Sequence, residues 1–263
     1  MDEVDALVLG VIQGLTEFLP VSSSGHIEIG KYVLGSNLIP SENLLFTIVV
    51  HFATALSTMV VFRKDIYELL TRAIAPSINK ENKFILNILI SMVPAVIVGL
   101  YFEKELEMLF NGNILLVGSM LIITGILLLT TVNAKENNKE ISYLNSLVIG
   151  VSQAFAMIPG ISRSGATIST SLILGINKID AAKFSFLMVI PLIIGKIFKD
   201  FLSDSISYSN LDLNIFIIGF LSSFITGILA CKWMLKLVKG NKLKYFAYYC
   251  FIVGTIAIIT DLN

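Results

Sequence analysis

Six apolar runs, at 44–62, 84–102, 114–132, 184–198, 213–231 and 245–260, divide the chain and restrict what it can become. At 1.5 Å per helical residue, roughly 20 residues cross the hydrocarbon core of a bilayer. The fourth and sixth runs are short, so their ends are expected to lie in flanking sequence. Backbone in lipid must satisfy its own hydrogen bonds, which leaves helices as the solution for runs of this length. Composition agrees: 55% of residues are hydrophobic and 14% charged, with a mean hydropathy of +0.83, against about 25% charged in soluble domains. The formal net charge is zero, so no nucleic-acid partner is indicated. Cys231 and Cys250 both fall in or at the edge of apolar runs and suggest no disulfide framework. The acidic start, with Asp2, Glu3 and Asp5, lacks the basic n-region of a cleavable signal, so the N-terminus is expected to be retained.

Two stretches break this pattern. Residues 10–26 place Gln13, Glu17, Ser22, Ser23, Ser24 and His26 among apolar neighbours around Pro20. An ionisable group at a helix centre costs about 2.5–3.5 kcal/mol on insertion scales, so such groups point to function. Shifting the chain by 140 positions superposes Gly10, Val11, Gln13, Ser22, Ser24 and Gly25 on Gly150, Val151, Gln153, Ser162, Ser164 and Gly165, six identities in sixteen without a gap. Leu34 and Gly35 likewise fall on Leu174 and Gly175. Internal symmetry of this kind marks structural repeats with a site at their interface. The second copy carries Arg163 where the first has Ser23. Each copy has two apolar legs (6–19 and 25–34; 144–158 and 165–174) around a Pro, Gly and Ser break, and each leg is about half a bilayer long. These read as re-entrant hairpins, whose irregular backbone is tolerated where protein or water surrounds it.

Loop cations set the expected orientation. Fourteen Lys and Arg residues, in the loops after the first, third and fifth runs, fall on one side; Lys31, Lys104, Lys196 and Lys199 fall on the other. The N-terminus is therefore expected outside the cytoplasm. Three spans separate the hairpins, so they would enter from opposite faces. The expected fold is an all-α integral membrane protein with about six full spans and two re-entrant hairpins in inverted-topology repeats. Repeat 1 covers about 1–132 (hairpin 6–34) and repeat 2 about 141–263 (hairpin 144–174). No soluble domain, long linker or low-complexity tract interrupts this single membrane domain; 133–140 is a short polar loop.

Ser22, Ser23 and Ser24 occupy the turn and first helical turn of the second leg, where unpaired N–H groups suit an anion. Ser162, Arg163, Ser164 and Thr167 occupy the equivalent place in the second hairpin. Two positive dipole ends near the midplane, with the planar fork of Arg163, suit a phosphate or diphosphate. The alternatives are helix capping for the serines and a structural ion pair with Glu17 for Arg163. His26, three residues after Ser23 and four after Ser22, is expected within reach of either hydroxyl for acid/base work, against the plainer reading of a hydrogen-bonded core residue. His51 is read as packing or outer support. Gln13 and Glu17 share a helical face and together suit a divalent cation completed by phosphate oxygens; Glu17 as proton acceptor or as the counter-ion of Arg163 remains an alternative. Gln153 is expected to hydrogen-bond hairpin backbone.

The segments GLTEFLPVSSSGH (14–26) and PGISRSGATIS (159–169), with Gln13 four before Glu17, resemble the two signature motifs of the undecaprenyl-diphosphate phosphatases of the bacitracin-resistance type. Length and hydropathy match over essentially the whole chain. The resemblance implies a plasma-membrane enzyme that removes the terminal phosphate of a C55 polyprenyl diphosphate and returns the carrier lipid to cell-wall synthesis. It further implies a divalent metal (Mg2+ or Ca2+), no organic cofactor, a site open to the outer face, and competition by bacitracin for the lipid substrate; it leaves a homodimer open. Carried over by motif, Gln13 and Glu17 form the acidic pair and possible metal ligands, and Ser22, Ser23 and His26 the serine/histidine motif. Arg163 holds phosphate with Ser162, Ser164 and Thr167 beside it. The family has Glu or Gln at the first acidic position; Gln13 removes the second carboxylate here. Ser24 takes no direct role. Attack by Ser23, or Ser22 second, and direct attack by water both remain open. A polyprenyl-phosphate transporter or flippase is the competing reading, because inverted repeats with broken helices typify carriers.

A cysteine at Lys104, in a background lacking Cys231 and Cys250, is expected to react with an impermeant thiol reagent added outside intact cells. Labelling only from the cytoplasmic side would overturn the orientation.

Overall fold

The computed structural model describes residues 1–35, 40–74, 79–110, 112–134, 139–202, 212–240 and 242–262. Lys135, one of the fourteen loop cations, lies outside them. The described residues form helices without named strands, in the order α1 (Glu3–Thr16), α2 (Ser23–Leu34), α3 (Pro40–Val61), α4 (Arg63–Ala73), α5 (Lys80–Tyr101), α6 (Glu103–Leu109), α7 (Ile114–Thr130), α8 (Tyr143–Phe155), α9 (Arg163–Ile173), α10 (Lys178–Leu202), α11 (Leu213–Lys239) and α12 (Leu243–Leu262).

Among the described residues, four helices, α5, α10, α11 and α12, are long and apolar enough to cross a membrane alone, and α3 with α4 and α6 with α7 qualify as bent pairs, giving up to six. Each expected span falls within or close to one of these helices. Two segments expected as loop are helical. Arg63–Ala73 turns 77° away from the preceding span. Its sequence RKDIYELLTRA is amphipathic, so it keeps a helical repeat while leaving the apolar direction. Glu103–Leu109 is a second short helix, with Glu103 and Glu105 in its first turn where the dipole favours acids.

The outward faces of the spans are apolar. Leu89, Val93, Ile97 and Leu100 on α5, Leu221, Ile225 and Leu229 on α11, and Ile252, Ile256 and Ile259 on α12 are all exposed large hydrophobes. Spaced by three or four residues, they form stripes that water would penalise and lipid accepts. The chain is a multi-pass membrane protein.

The two hairpins are built as half-length pairs: α1 has 14 residues and α2 12, α8 has 13 and α9 11. At 1.5 Å per residue none exceeds about 21 Å, short of a bilayer core of about 30 Å. Each second leg starts on a serine cap: Ser22 Oγ accepts from Gly25 N at 3.2 Å, and Ser162 Oγ from Gly165 N at 3.0 Å. Ser22 sits at φ +70°, a left-handed conformation unusual for a residue with a side chain. The counterpart break contains Gly160 at φ +96°, where a Cβ would lie 2.5 Å from the Val117 carbonyl oxygen, so only glycine fits.

First legs pack across the repeat boundary. Gly10 and Gly14 of α1 lie against Gly219, Ser222, Ser223 and Thr226 of α11, and Gly150 of α8 lies against Ser91 of α5. Small residues let backbones approach where lipid offers no hydrophobic drive between helices. The hairpin tips also meet: Ser164 Oγ donates to the Leu19 carbonyl at 3.3 Å. A core of Phe18, Ile149, Ile168, Phe184, Phe186, Met188 and Met234 draws both hairpins onto α10 and α11.

A Cβ on Gly150 would stand 2.4 Å from the Ser91 carbonyl oxygen, so Gly150→Ala must push α8 from α5. We expect it to lower stability by about 1–3 kcal/mol, read as a reduced melting temperature in detergent.

Candidate active site

Glu17 ends α1 as its C-cap, just before the break. Its side chain is only 7% exposed. A carboxylate so placed requires partners, and three elements besides its own supply them. Arg163 Nη2, from the first turn of α9, donates to Oε1 at 2.6 Å. Ser23 Oγ, from the first turn of α2, donates to Oε2 at 2.8 Å. Gln13 Nε2, one turn back on α1, donates to the same Oε2 at 3.0 Å. His51 Nε2 of α3 lies 3.9 Å from that oxygen. Arg163 is fixed in turn by Nη1 donating to the Ser185 carbonyl of α10 at 2.8 Å. Gln13 also approaches Thr54 Oγ1 at 3.5 Å. One carboxylate thus gathers the reactive hydroxyl of the first hairpin and the cation of the second.

Two expectations are corrected. His26 was expected within reach of Ser22 or Ser23 Oγ, but its Nδ1 lies 2.8 Å from the Ser22 backbone oxygen and its Nε2 2.8 Å from Tyr249 Oη. Helical spacing brings a histidine near, but the partners of its ring are the Ser22 carbonyl and Tyr249, 223 positions away. Ser23 turns to Glu17 instead. Gln153 was expected to hydrogen-bond hairpin backbone, yet its Nε2 and Oε1 are buried without a protein partner. The cause lies in the repeat: Gln13 uses the carboxylate four residues on, and the residue four after Gln153 is Met157.

The remaining serines and threonine do mainly structural work in this state. Ser22 and Ser162 cap α2 and α9, which is the capping alternative. Ser164 Oγ lies 3.3 Å from Ser162 Oγ and reaches the Leu19 carbonyl. Thr167 Oγ1 is hydrogen-bonded to the Arg163 carbonyl at 2.8 Å and to Ser185 Oγ at 2.7 Å, and so steadies the turn that carries Arg163. What the two first turns can still offer an anion is their N-terminal backbone dipole.

His51, read as packing or outer support, sits beside Glu17 in agreement with that reading. Sequence reasoning missed the placement of three groups. Thr54 and Ser185 carried no signal, since small hydroxyls commonly bond their own helix backbone. Tyr249 is one aromatic among several in α12.

For a metal, the donor set is modest. Among the described residues no group of three or more His, Cys, Asp or Glu side chains could hold one. Glu17 has both oxygens engaged, but Gln13 Oε1 is buried with no partner, a spare acceptor beside the carboxylate. These residues fit a cation that shares its shell with phosphate oxygens, as magnesium does, and do not form a protein-only cage.

Half-helices that deliver a buried carboxylate, a hydroxyl and a guanidinium to one point of a polytopic membrane protein make this cluster its candidate site. Comparison with known sequences narrows the class: residues 6–256 match the family described as "Bacitracin resistance protein BacA", and the chain belongs to that family. It is 60% identical to an undecaprenyl-diphosphatase of Christiangramia forsetii over 259 residues, covering 98% of each chain. An undecaprenyl-diphosphatase of Bacteroides fragilis is 47% identical over 266 residues, 99% of each chain. One from the archaeon Methanococcus vannielii is 36% identical over 261 residues, 97% of this chain and 99% of that one.

Breaking a buried pair from one side leaves the other charge uncompensated, at about 3–5 kcal/mol. Arg163→Ala and Glu17→Ala are each expected to lower the melting temperature in detergent, and the double variant is expected to lose less than the sum of the two.

Proposed function

We propose that the chain hydrolyses undecaprenyl diphosphate to the monophosphate and inorganic phosphate, recycling the carrier lipid of cell-wall polymer synthesis. The observation that carries this reading is the shared carboxylate of Glu17, with Ser23 Oγ at 2.8 Å and Arg163 at 2.6 Å.

Ser23 is the nucleophile and Glu17 its base. As Oγ bonds to the terminal phosphorus, its proton passes to Glu17 Oε2 and the bridging P–O bond breaks, its electron pair leaving with the lipid monophosphate. Glu17 returns the proton to solvent. Water then attacks the phosphoserine, giving its proton to Glu17; the P–O bond to Ser23 breaks, inorganic phosphate departs, and the Ser23 oxygen takes the proton back from Glu17. Arg163 shifts its fork from the carboxylate to the phosphate oxygens, and the N-terminal dipoles of α2 and α9 add to it. Phosphoryl transfer draws most of its acceleration from such positioning and charge stabilisation. His26 takes a proton from solvent at Nε2 and gives it to the bridging oxygen as the lipid monophosphate leaves. A divalent cation held by Glu17 and Gln13 Oε1 with the diphosphate would neutralise further phosphate charge. Ser22, Ser162, Ser164 and Thr167 hold the two first turns in place around the phosphates.

The repeats are inverted, the N-terminus lies outside the cytoplasm, and the site opens to the outer leaflet, where bacitracin competes for the same diphosphate. A carrier would need the anion grip but not a hydroxyl held on a base, which disfavours the flippase reading.

Purified protein in detergent is expected to release inorganic phosphate from a polyprenyl diphosphate. Ser23→Ala should reduce kcat by at least about 10³-fold, and Arg163→Lys, which loses the planar fork, by about 10²–10³-fold. Acid-quenched wild-type protein should retain label from the terminal phosphate on Ser23. Full turnover by Ser23→Ala would leave direct attack by water as the mechanism, and chelation without effect would remove the cation from it.

A further inference from the structure

His26 Nδ1 lies 2.8 Å from the Ser22 carbonyl oxygen. A carbonyl only accepts, so Nδ1 carries the hydrogen and Nε2 of the neutral ring is the lone-pair nitrogen. Tyr249 Oη, 2.8 Å away, donates to it. The two rings are stacked, with centroids 5.6 Å apart and 13° between planes. The rest of Tyr249 walls a cavity of about 420 Å3 together with Leu19, Val21, Trp233 and Phe246. A phenylalanine would serve the stack and the wall equally well, so packing leaves the hydroxyl unexplained. Its partner in the structure is the one ring nitrogen through which His26 can exchange a proton.

We propose that Tyr249 is a positioning residue for the phosphatase reaction, acting through His26. Its hydroxyl donates to Nε2 and, with the Ser22 carbonyl already holding Nδ1–H, keeps Nε2 turned toward Tyr249 and away from Ser23. The Ser23 proton is thereby left to Glu17, and His26 is kept for the leaving-group side. Such outer partners orient an imidazole without touching the reacting atoms. The inference rests on the reading of the site given above, and its test separates the two.

Phosphate release is measured for the purified wild type, Tyr249→Phe, His26→Ala and the double variant. We expect Tyr249→Phe to lower kcat about tenfold with KM nearly unchanged, as loss of one hydrogen bond held in the transition state would. In the His26→Ala background the same substitution should cost nothing further, because a residue acting through His26 has nothing left to act on. Equal losses in both backgrounds would make Tyr249 a packing residue and overturn the proposal, as would an undiminished Tyr249→Phe. The chain has only two histidines, His26 and His51, so nitrogen-15 ring spectra provide a second readout independent of residual turnover. Wild type should show His26 as the Nδ1–H tautomer with its Nε2 resonance displaced by the hydrogen bond from Tyr249, and Tyr249→Phe the same tautomer with the Nε2 resonance shifted to that of an unbonded acceptor; unchanged ring shifts would overturn the proposal. No phosphate release from wild type, with the wild-type spectrum as expected, would sink the phosphatase reading and not the Tyr249–His26 bond.

Discussion

The ion pair between Glu17 and Arg163 is the contact on which the centre of this molecule depends. The two residues are 146 positions apart and come from different hairpins, yet Nη2 and Oε1 lie 2.6 Å from each other. Neither charge would be tolerated alone at this burial, so docking one hairpin requires the other to be in place. The partners of the pair extend the constraint: Ser23 ties in α2, His51 approaches from α3, and Ser185 ties in α10. A buried pair of this kind is weak evidence for stability in itself. What it provides is register, since a half-turn error in any of these helices would strand a charge.

That register answers a problem created by the broken helices. Irregular backbone within a membrane needs protein partners for its polar groups. The breaks find them across the repeat boundary. The Gly160 carbonyl accepts from Thr124 Oγ1 of α7 at 3.0 Å, and the same hydroxyl oxygen accepts from Ser162 N at 3.0 Å. The Pro20 carbonyl meets Cys250 Sγ of α12 at 3.8 Å. Thus α7 steadies the second hairpin and α12 the first. The thiol is the weaker donor, and it serves the hairpin that carries Ser23 and His26.

Much of this arrangement could be read from residue order, because it follows from local rules. Apolar runs of bilayer length located the spans, and the 140-residue offset located both hairpins and paired Ser22 with Ser162 as caps. Glu17, Ser23 and Arg163 were named from motif and chemistry, and the structure brings all three together. What could not be read is direction. Spacing of three or four residues places His26 over the Ser22–Ser23 turn, but nothing local decides which way its ring faces. Its Nε2 meets a tyrosine near the far end of the chain, a contact that no local rule announces. The helices at 63–73 and 103–109 escaped for a related reason: charged, short and outside the apolar runs, they resemble loops until tertiary context gives their apolar faces something to rest on. Thr54 and Ser185 were silent because a small hydroxyl in an apolar helix usually bonds its own backbone.

The repeat explains why one site arises from a duplicated unit. At the matched positions Glu17 faces Met157, Ser23 faces Arg163 and His26 faces Ala166, while Gln13 and Gln153 are the same. Only one hairpin retains a carboxylate, a hydroxyl and an imidazole, and the other has exchanged its hydroxyl for a guanidinium. Methionine at position 157 leaves Gln153 without the carboxylate that Gln13 uses, and its amide has no protein partner. The same residue type at matched positions thus has different partners: Gln13 Nε2 has a carboxylate to donate to, and Gln153 Nε2 has none.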